Sequence, residues 1–166
     1  MKKIEVFFDY TCPYCYRGVT EFMELLEKMP ELTPVWVPCE AHPRPEAAAV
    51  HSDVASQAMY SLEAQNGDLA KFHMLVFKAH FKDQMRIDDP EFLSELAAEC
   101  GGSEEKTLED LDRDVYAGRI QDNNRRVWME LAFEAVPSYK MGEKTIGSGG
   151  GLLVPAEKLE RFIKEN

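Results

Sequence analysis

Long apolar runs are missing from this 166-residue chain, and so is any excess of basic charge. The N-terminus runs into Ile4-Glu5-Val6-Phe7-Phe8-Asp9. There Glu5 and Asp9 interrupt the apolar stretch of about 7–15 residues that a secretory signal needs. Nowhere does the chain approach the roughly 20 apolar residues of a membrane-spanning helix. Lys and Arg number 19 against 30 Asp and Glu, a formal net charge of −11. Nucleic acid and anionic membrane surfaces are negative themselves and are disfavoured as partners. Internal repeats are absent, and the one compositionally biased stretch is Gly147-Ser148-Gly149-Gly150-Gly151. Cysteine is scarce, with four residues at 12, 15, 39 and 100, and a 45% hydrophobic chain of this length can build a core without disulfide staples. Taken as complete, the chain is expected to be cytoplasmic. In that compartment cysteines are reduced, catalytic or metal-binding rather than structural disulfides.

The chemistry is concentrated in Phe7-Phe8-Asp9-Tyr10-Thr11-Cys12-Pro13-Tyr14-Cys15. This stretch reads as a strand running into a helix, with two cysteines in C-x-x-C spacing at the junction. A thiolate at a helix N-terminus meets unpaired backbone N–H groups and the positive end of the helix dipole. The Cys12 pKa is therefore expected below the free value of about 8.5. Cys15 lies about one turn further on, within reach of a disulfide with Cys12. An activated thiolate with a resolving thiol behind it is the minimum machinery for thiol–disulfide exchange.

Alternation at Ile4, Val6 and Phe8 predicts a strand over 3–9. From Pro13 to Met29 the period becomes helical through Val19, Phe22, Met23 and Leu26, and Pro13 suits the first turn. Val35-Trp36-Val37 predicts a second strand over 33–39, completing a right-handed β-α-β unit with parallel strands. Cys39 would then emerge at the same sheet edge as Cys12. Helices are expected over 46–66, over 68–82, from Asp89-Pro90, from Thr107-x-x-Asp110 and over about 119–134. Ser138–Met141 and Lys144–Ile146 flank a turn at Gly142-Glu143 as a hairpin, and a last amphipathic helix follows Pro155. The order is βαβ, several helices, ββα. The two halves could share one four-stranded sheet, with the helices between them forming a lid.

That layout, with Cys12-Pro13-Tyr14-Cys15 and Val136-Pro137 before a hairpin, resembles the DsbA-like branch of the thioredoxin superfamily. Within it, Phe8–Cys15 and Pro38-Cys39-Glu40-Ala41-His42-Pro43 are similar to the FrnE-like group, whose relatives include 2-hydroxychromene-2-carboxylate isomerases and kappa-class glutathione transferases. The resemblance implies an α/β thioredoxin-like fold, with residues 1–44 and 119–166 as the thioredoxin-like domain and 45–118 as an inserted helical lid. It implies that Cys12 attacks and Cys15 resolves, and that Pro137 is a cis-proline. It also implies that Val136 offers backbone hydrogen bonds to an extended substrate, beside Pro13 and Tyr14. No bound cofactor is implied; the Cys12–Cys15 disulfide carries the electrons, with glutathione as a candidate co-substrate. Partners would be protein or small-molecule thiols and disulfides, and the chain a monomer or homodimer. One departure matters. Pro13-Tyr14 lacks the histidine that helps stabilise the thiolate in strongly oxidising relatives and is the pair typical of glutaredoxins. A less oxidising couple, suited to reductase or isomerase work, is expected.

Other readings stand beside this one. The cysteine pair could be half of a zinc site, but zinc wants four ligands, often as two such pairs, and the remaining cysteines are single and distant; no metal is expected. Glutathione-dependent isomerases and transferases typically carry serine at the Cys12 position and lack the second cysteine. A redox-sensing or chaperone-like binding module is the alternative outside enzymology. Cys39 reads as a core thiol or a third redox thiol, and Cys100 as structural. Arg17 could steady a thiolate or simply be solvated, and Asp9 is expected to hold its loop. His51, His73 and His80 read as ordinary surface or boundary residues.

Overall fold

The computed structural model describes residues 1–166. Four strands form one sheet in the order β2-β1-β3-β4. β1 (Lys2–Phe8) pairs in parallel with β2 (Leu32–Pro38), setting Val6 against Trp36. On its other side β1 pairs antiparallel with β3 (Ser138–Met141), setting Val6 against Tyr139, and β3 forms a hairpin with β4 (Lys144–Gly147). Val6 is buried from both sides, as the central strand requires.

α1 (Pro13–Lys28) carries the chain from β1 to β2 and buries Val19, Phe22 and Leu25. Between β2 and the hairpin lie α2 (Asp53–Ala64), α3 (Leu69–Phe81), α4 (Pro90–Glu99), α5 (Glu104–Asp112) and α6 (Ala117–Arg125). A π-helical turn at Arg126–Glu130 continues α6, and α7 (Ala156–Glu165) ends the chain. No helix is long and apolar enough to cross a membrane.

Aromatic rings join the sheet to the helices. Phe8 meets Tyr10, Trp36 and His73 edge-on, with centroids 4.9, 5.9 and 5.1 Å away, and Phe22 lies between Trp36 and Tyr139. Edge-to-face pairs add to plain burial by placing the positive ring edge on the negative face. Arg126, in the π turn, grips Glu5 of β1 through both terminal guanidinium nitrogens, one of them at 2.7 Å.

Three helix boundaries differ from the sequence expectation. The segment expected as helix from residue 46 is irregular to Ser52, because Ala47, Ala48 and Ala49 are exposed and bury nothing that would support a helix. α5 starts at Glu104 and is capped by Ser103, whose Oγ accepts the Lys106 N–H at 3.1 Å. Thr107, expected at its start, is interior, and its hydroxyl accepts from Gln65 Nε2 at 3.1 Å. The helix expected over 119–134 is α6 plus the π turn, and it stops at Glu130.

Candidate functional site

The end of β1 is held by a buried carboxylate. Asp9 is 1% exposed; its Oδ1 accepts from the Thr11 N–H and hydroxyl, both at 2.9 Å, and its Oδ2 accepts from the Ala41 N–H at 2.8 Å. Asp9 therefore shapes the loop before Cys12 and ties it to the loop after β2. Cys12 is the N-cap of α1 with extended backbone, and Pro13 occupies the first helical position. The Cys12 carbonyl accepts from the Cys15 and Tyr16 N–H groups at 3.0 and 3.2 Å, so the helix starts at the motif itself.

The two thiols differ sharply. Cys12 is half-buried, and its thiol lies 3.8 Å from the Val136 carbonyl, which it can donate to. Its pKa is lowered to about 7, first by a hydrogen bond from the Cys15 thiol; the Cys15 and Tyr14 amides add to this, although neither closes a full capping bond. Burial and the Asp9 charge work in the opposite direction. Cys15 is 0% exposed and accepts from the Asp9 N–H at 3.4 Å. Burial, then the adjoining Cys12, pushes its pKa well up, so it holds its proton. The helix terminus thus contributes to thiolate stabilisation as expected, and the larger share comes from the second cysteine.

The Val136–Pro137 peptide is cis. Its loop is pinned by Ser148, whose hydroxyl donates to the Pro137 carbonyl at 2.6 Å, and by Ser138, whose hydroxyl donates to the Ala135 carbonyl at 2.7 Å. Gly18 allows that loop to press on α1: a Cβ there would sit 2.6 Å from Pro137 Cγ. Beside Cys12 opens a groove of about 340 Å³ walled by Tyr14, Ala41, Trp128, Glu134, Ala135 and Val136. Tyr14 is 50% exposed and also borders a second groove, which holds Arg17 and Leu152.

The geometry brings Cys12, Cys15, Pro13, Tyr14, Val136 and Pro137 together. Cys39 is close by and fully buried; its N–H donates to the Phe8 carbonyl at 2.8 Å, and burial followed by the Asp9 and Cys12 charges pushes its pKa well up. Cys100 is the C-cap of α4, with its pKa raised to about 11 by burial. Arg17 is exposed and paired with Glu21 at 3.2 Å. No three His, Cys, Asp or Glu side chains converge as a metal site.

Sequence reasoning missed several residues. His73 is not a surface residue: it is fully buried, with Nδ1 hydrogen-bonded to the Tyr10 hydroxyl at 2.8 Å and burial lowering its pKa to about 3. Gly18, a helix-interior glycine costing about 1 kcal/mol against alanine, was a readable signal of close approach. Trp128 and Glu134 reach the groove through the π turn and the loop after it, a departure from helical period that the sequence does not announce.

The DSBA-like thioredoxin domain model matches residues 3–162. The chain belongs to this family. Its members are thiol–disulfide oxidoreductases, and this DsbA-like protein is accordingly an enzyme. Its sequence is similar to YwbO of Bacillus subtilis (strain 168), itself described as uncharacterised, at 24% identity over 89% of this chain and 90% of that one. Its fold is similar to the cytosolic disulfide reductase DsbM from Pseudomonas aeruginosa, with TM-score 0.76, 18% identity and 98% and 97% of the two chains covered. It is also similar to Chlamydia trachomatis DsbA, with TM-score 0.74, 16% identity and 98% and 85% covered. At these identities the structural likenesses speak for the thioredoxin-like α/β fold alone.

Proposed function

We propose that this DsbA-like protein is a cytoplasmic thiol–disulfide oxidoreductase whose redox pair is Cys12 and Cys15, working as a reductase or isomerase. The Cys12 thiolate attacks a substrate disulfide, forms a mixed disulfide and expels one substrate thiolate. Cys15 then gives up its proton, bonds to Cys12 Sγ and expels the second thiolate. Two electrons pass from the dithiol to the substrate, and the reverse sequence makes the protein an oxidant. One observation carries this reading: the half-buried Cys12 faces a groove at a helix start, while Cys15, one turn further along the same helix, is fully buried.

Val136 and Pro137 form the wall against which an extended substrate would lie, with Pro13 and Tyr14 opposite; the Val136 carbonyl beside the Cys12 thiol supports this. The helices between 45 and 118 act as the lid of a domain made by 1–44 and 119–166. The cytoplasmic assignment and glutathione as co-substrate draw support from DsbM, a cytosolic disulfide reductase also solved with GSH. Protein or small-molecule disulfides are the partners, met by a monomer or homodimer. Retention of both cysteines favours this reading over a glutathione-dependent isomerase or transferase.

The test is a glutathione redox titration with thiol trapping and mass readout of all four cysteines. A reversible two-electron couple confined to Cys12 and Cys15 is expected, lying near or below the cytosolic glutathione poise. Absence of that couple rules out the oxidoreductase assignment. Cys15→Ser should accumulate mixed disulfides on Cys12; a protein that only holds unfolded chains would be indifferent to the change.

A further inference from the structure

The groove at Cys12 is apolar on all sides but one. Apart from Cys12 and Tyr14, its single ionisable wall residue is Glu134, and no Lys, Arg or His lines it. Glu134 is exposed, and the cations nearest the groove residues in sequence are committed elsewhere: Arg17 to Glu21, His42 to Glu46, Arg125 to Asp122 and Arg126 to Glu5. The carboxylate lies over Gly149, where a Cβ would stand 2.4 Å from Glu134 Oε2. The absence of a side chain at 149 leaves that end of Glu134 open.

Trp128 is held by a hydrogen bond. Its indole N–H donates to the Glu40 carbonyl at 2.8 Å, and the next residue, Ala41, is bound through its N–H to Asp9. The hydrogen-bonding edge of the indole is thereby committed, which fixes the ring as a groove wall. An aromatic ring and an unpaired carboxylate around one apolar slot suit an ammonium or guanidinium. The carboxylate attracts the charge, and the ring quadrupole attracts it again at the face. The chain's net charge of −11 adds the same sign at longer range.

We propose that the Cys12 groove selects disulfides that carry a cationic side chain next to the reacting sulfur, with Glu134 and Trp128 as the specificity-determining pair. The inference rests on the oxidoreductase reading and names the substrate class of the same site. The electron balance is unchanged: the substrate disulfide is the oxidant, its S–S bond breaks, and both of its thiols are released as the Cys12–Cys15 disulfide forms. Basic peptide disulfides are favoured, and anionic glutathione disulfide is a poorer partner.

The test uses the reduced full-length protein and three small disulfides of different charge: cystamine (cationic), hydroxyethyl disulfide (neutral) and dithiodipropionate (anionic). Each rate is divided by that of mercaptoethanol with the same disulfide, which removes intrinsic reactivity. The expected order is cationic, neutral, anionic. Glu134→Gln should cut the cationic-to-neutral ratio about three- to fivefold, the scale of one exposed ion pair, and Glu134→Lys should invert the order. Glu165→Gln, in the last turn of α7, removes the same charge away from the groove and should leave the ratio alone. An unchanged ratio in Glu134→Gln, or an equal fall in Glu165→Gln, overturns the proposal while leaving the oxidoreductase intact. Failure of all three disulfides to react at Cys12 overturns both.

Discussion

Replacing Cys15 by alanine, and separately by serine, distinguishes two sources of thiolate stabilisation at Cys12. The structure attributes the lowered pKa of about 7 first to the Cys15 thiol and then to the amides at the start of α1. A hydrogen bond to a charged acceptor is worth about 1.5–3 kcal/mol, and a thiol is a weak donor, which argues for the lower end. At about 1.4 kcal/mol per pKa unit, Cys15→Ala should raise the Cys12 pKa by about one unit. Serine keeps a donor, and a stronger one, so Cys15→Ser should hold the pKa at or below the parent value.

Alkylation by iodoacetamide across pH reads this directly, with mass detection of Cys12. At pH 7 a rise from about 7 to about 8 lowers the thiolate fraction from about one half to about one tenth. The more basic thiolate is a better nucleophile, gaining about threefold for a unit of pKa. Cys15→Ala should therefore react about twofold more slowly at pH 7 and about threefold faster on the alkaline plateau. The two curves should cross between those limits. A midpoint in Cys15→Ala equal to that of the parent would refute the reasoning and assign the stabilisation to the helix terminus alone.

Tyr14→His adds a donor beside the thiolate and should raise the reduction potential by up to about 30 mV for each unit by which it lowers the Cys12 pKa; an unmoved potential in the glutathione titration contradicts this. Gly18→Ala gains about 1 kcal/mol of helix propensity but drives a methyl into the Pro137 ring, an overpacking cost of about 1–3 kcal/mol or more. Urea unfolding should show net destabilisation of up to about 2 kcal/mol, and a gain in stability would mean that the proline loop yields freely. His73 is held neutral, its folded pKa lowered from 6.5 to about 3. The unfolded chain therefore binds the extra proton, and stability should fall as pH drops from 6.5 towards 3, by about 1.4 kcal/mol per pH unit from this group. His73→Asn keeps an acceptor for the Tyr10 hydroxyl without the titration, so its unfolding free energy should fall less steeply with acid; an equal slope removes His73 from the account.

What could be read from the sequence followed how local its cause was. Ile4, Val6 and Phe8 alternate because β1 is packed on its faces by the chain's own rings, and Pro13 marks the start of α1 because only the first turn tolerates it. The beginning of α5 was misplaced because Thr107-x-x-Asp110 imitates a capping box, whereas Ser103 supplies the cap and Thr107 answers to Gln65, 42 residues earlier. His73 was unreadable for the same reason at longer range, since its partner Tyr10 lies 63 residues away. Trp128 had the right period for a helix face, but the π turn rotates the chain out of that period and presents the indole to Glu40 and the groove. The charge of the groove was equally hidden: Glu134 is one of 30 acidic residues until the fold leaves it unpaired beside Cys12.

Topology explains why so few residues suffice to build the site. β1 and β2 are parallel, so the chain leaves both at the same edge, with Asp9 after one and Cys39-Glu40-Ala41 after the other. β3 runs antiparallel to β1, with Ser138 opposite Phe7, so the segment that enters it, Val136-Pro137, arrives at that edge too. Three separate connections therefore converge at the end of the sheet where β1 and β2 finish and β3 begins. Asp9 then joins two of them through the Ala41 N–H, and the Val136 carbonyl meets Cys12 from the third. A change in any one connection is felt by the thiol through a hydrogen bond or a packed ring. The redox pair is local in sequence, but its surroundings belong to the whole sheet edge.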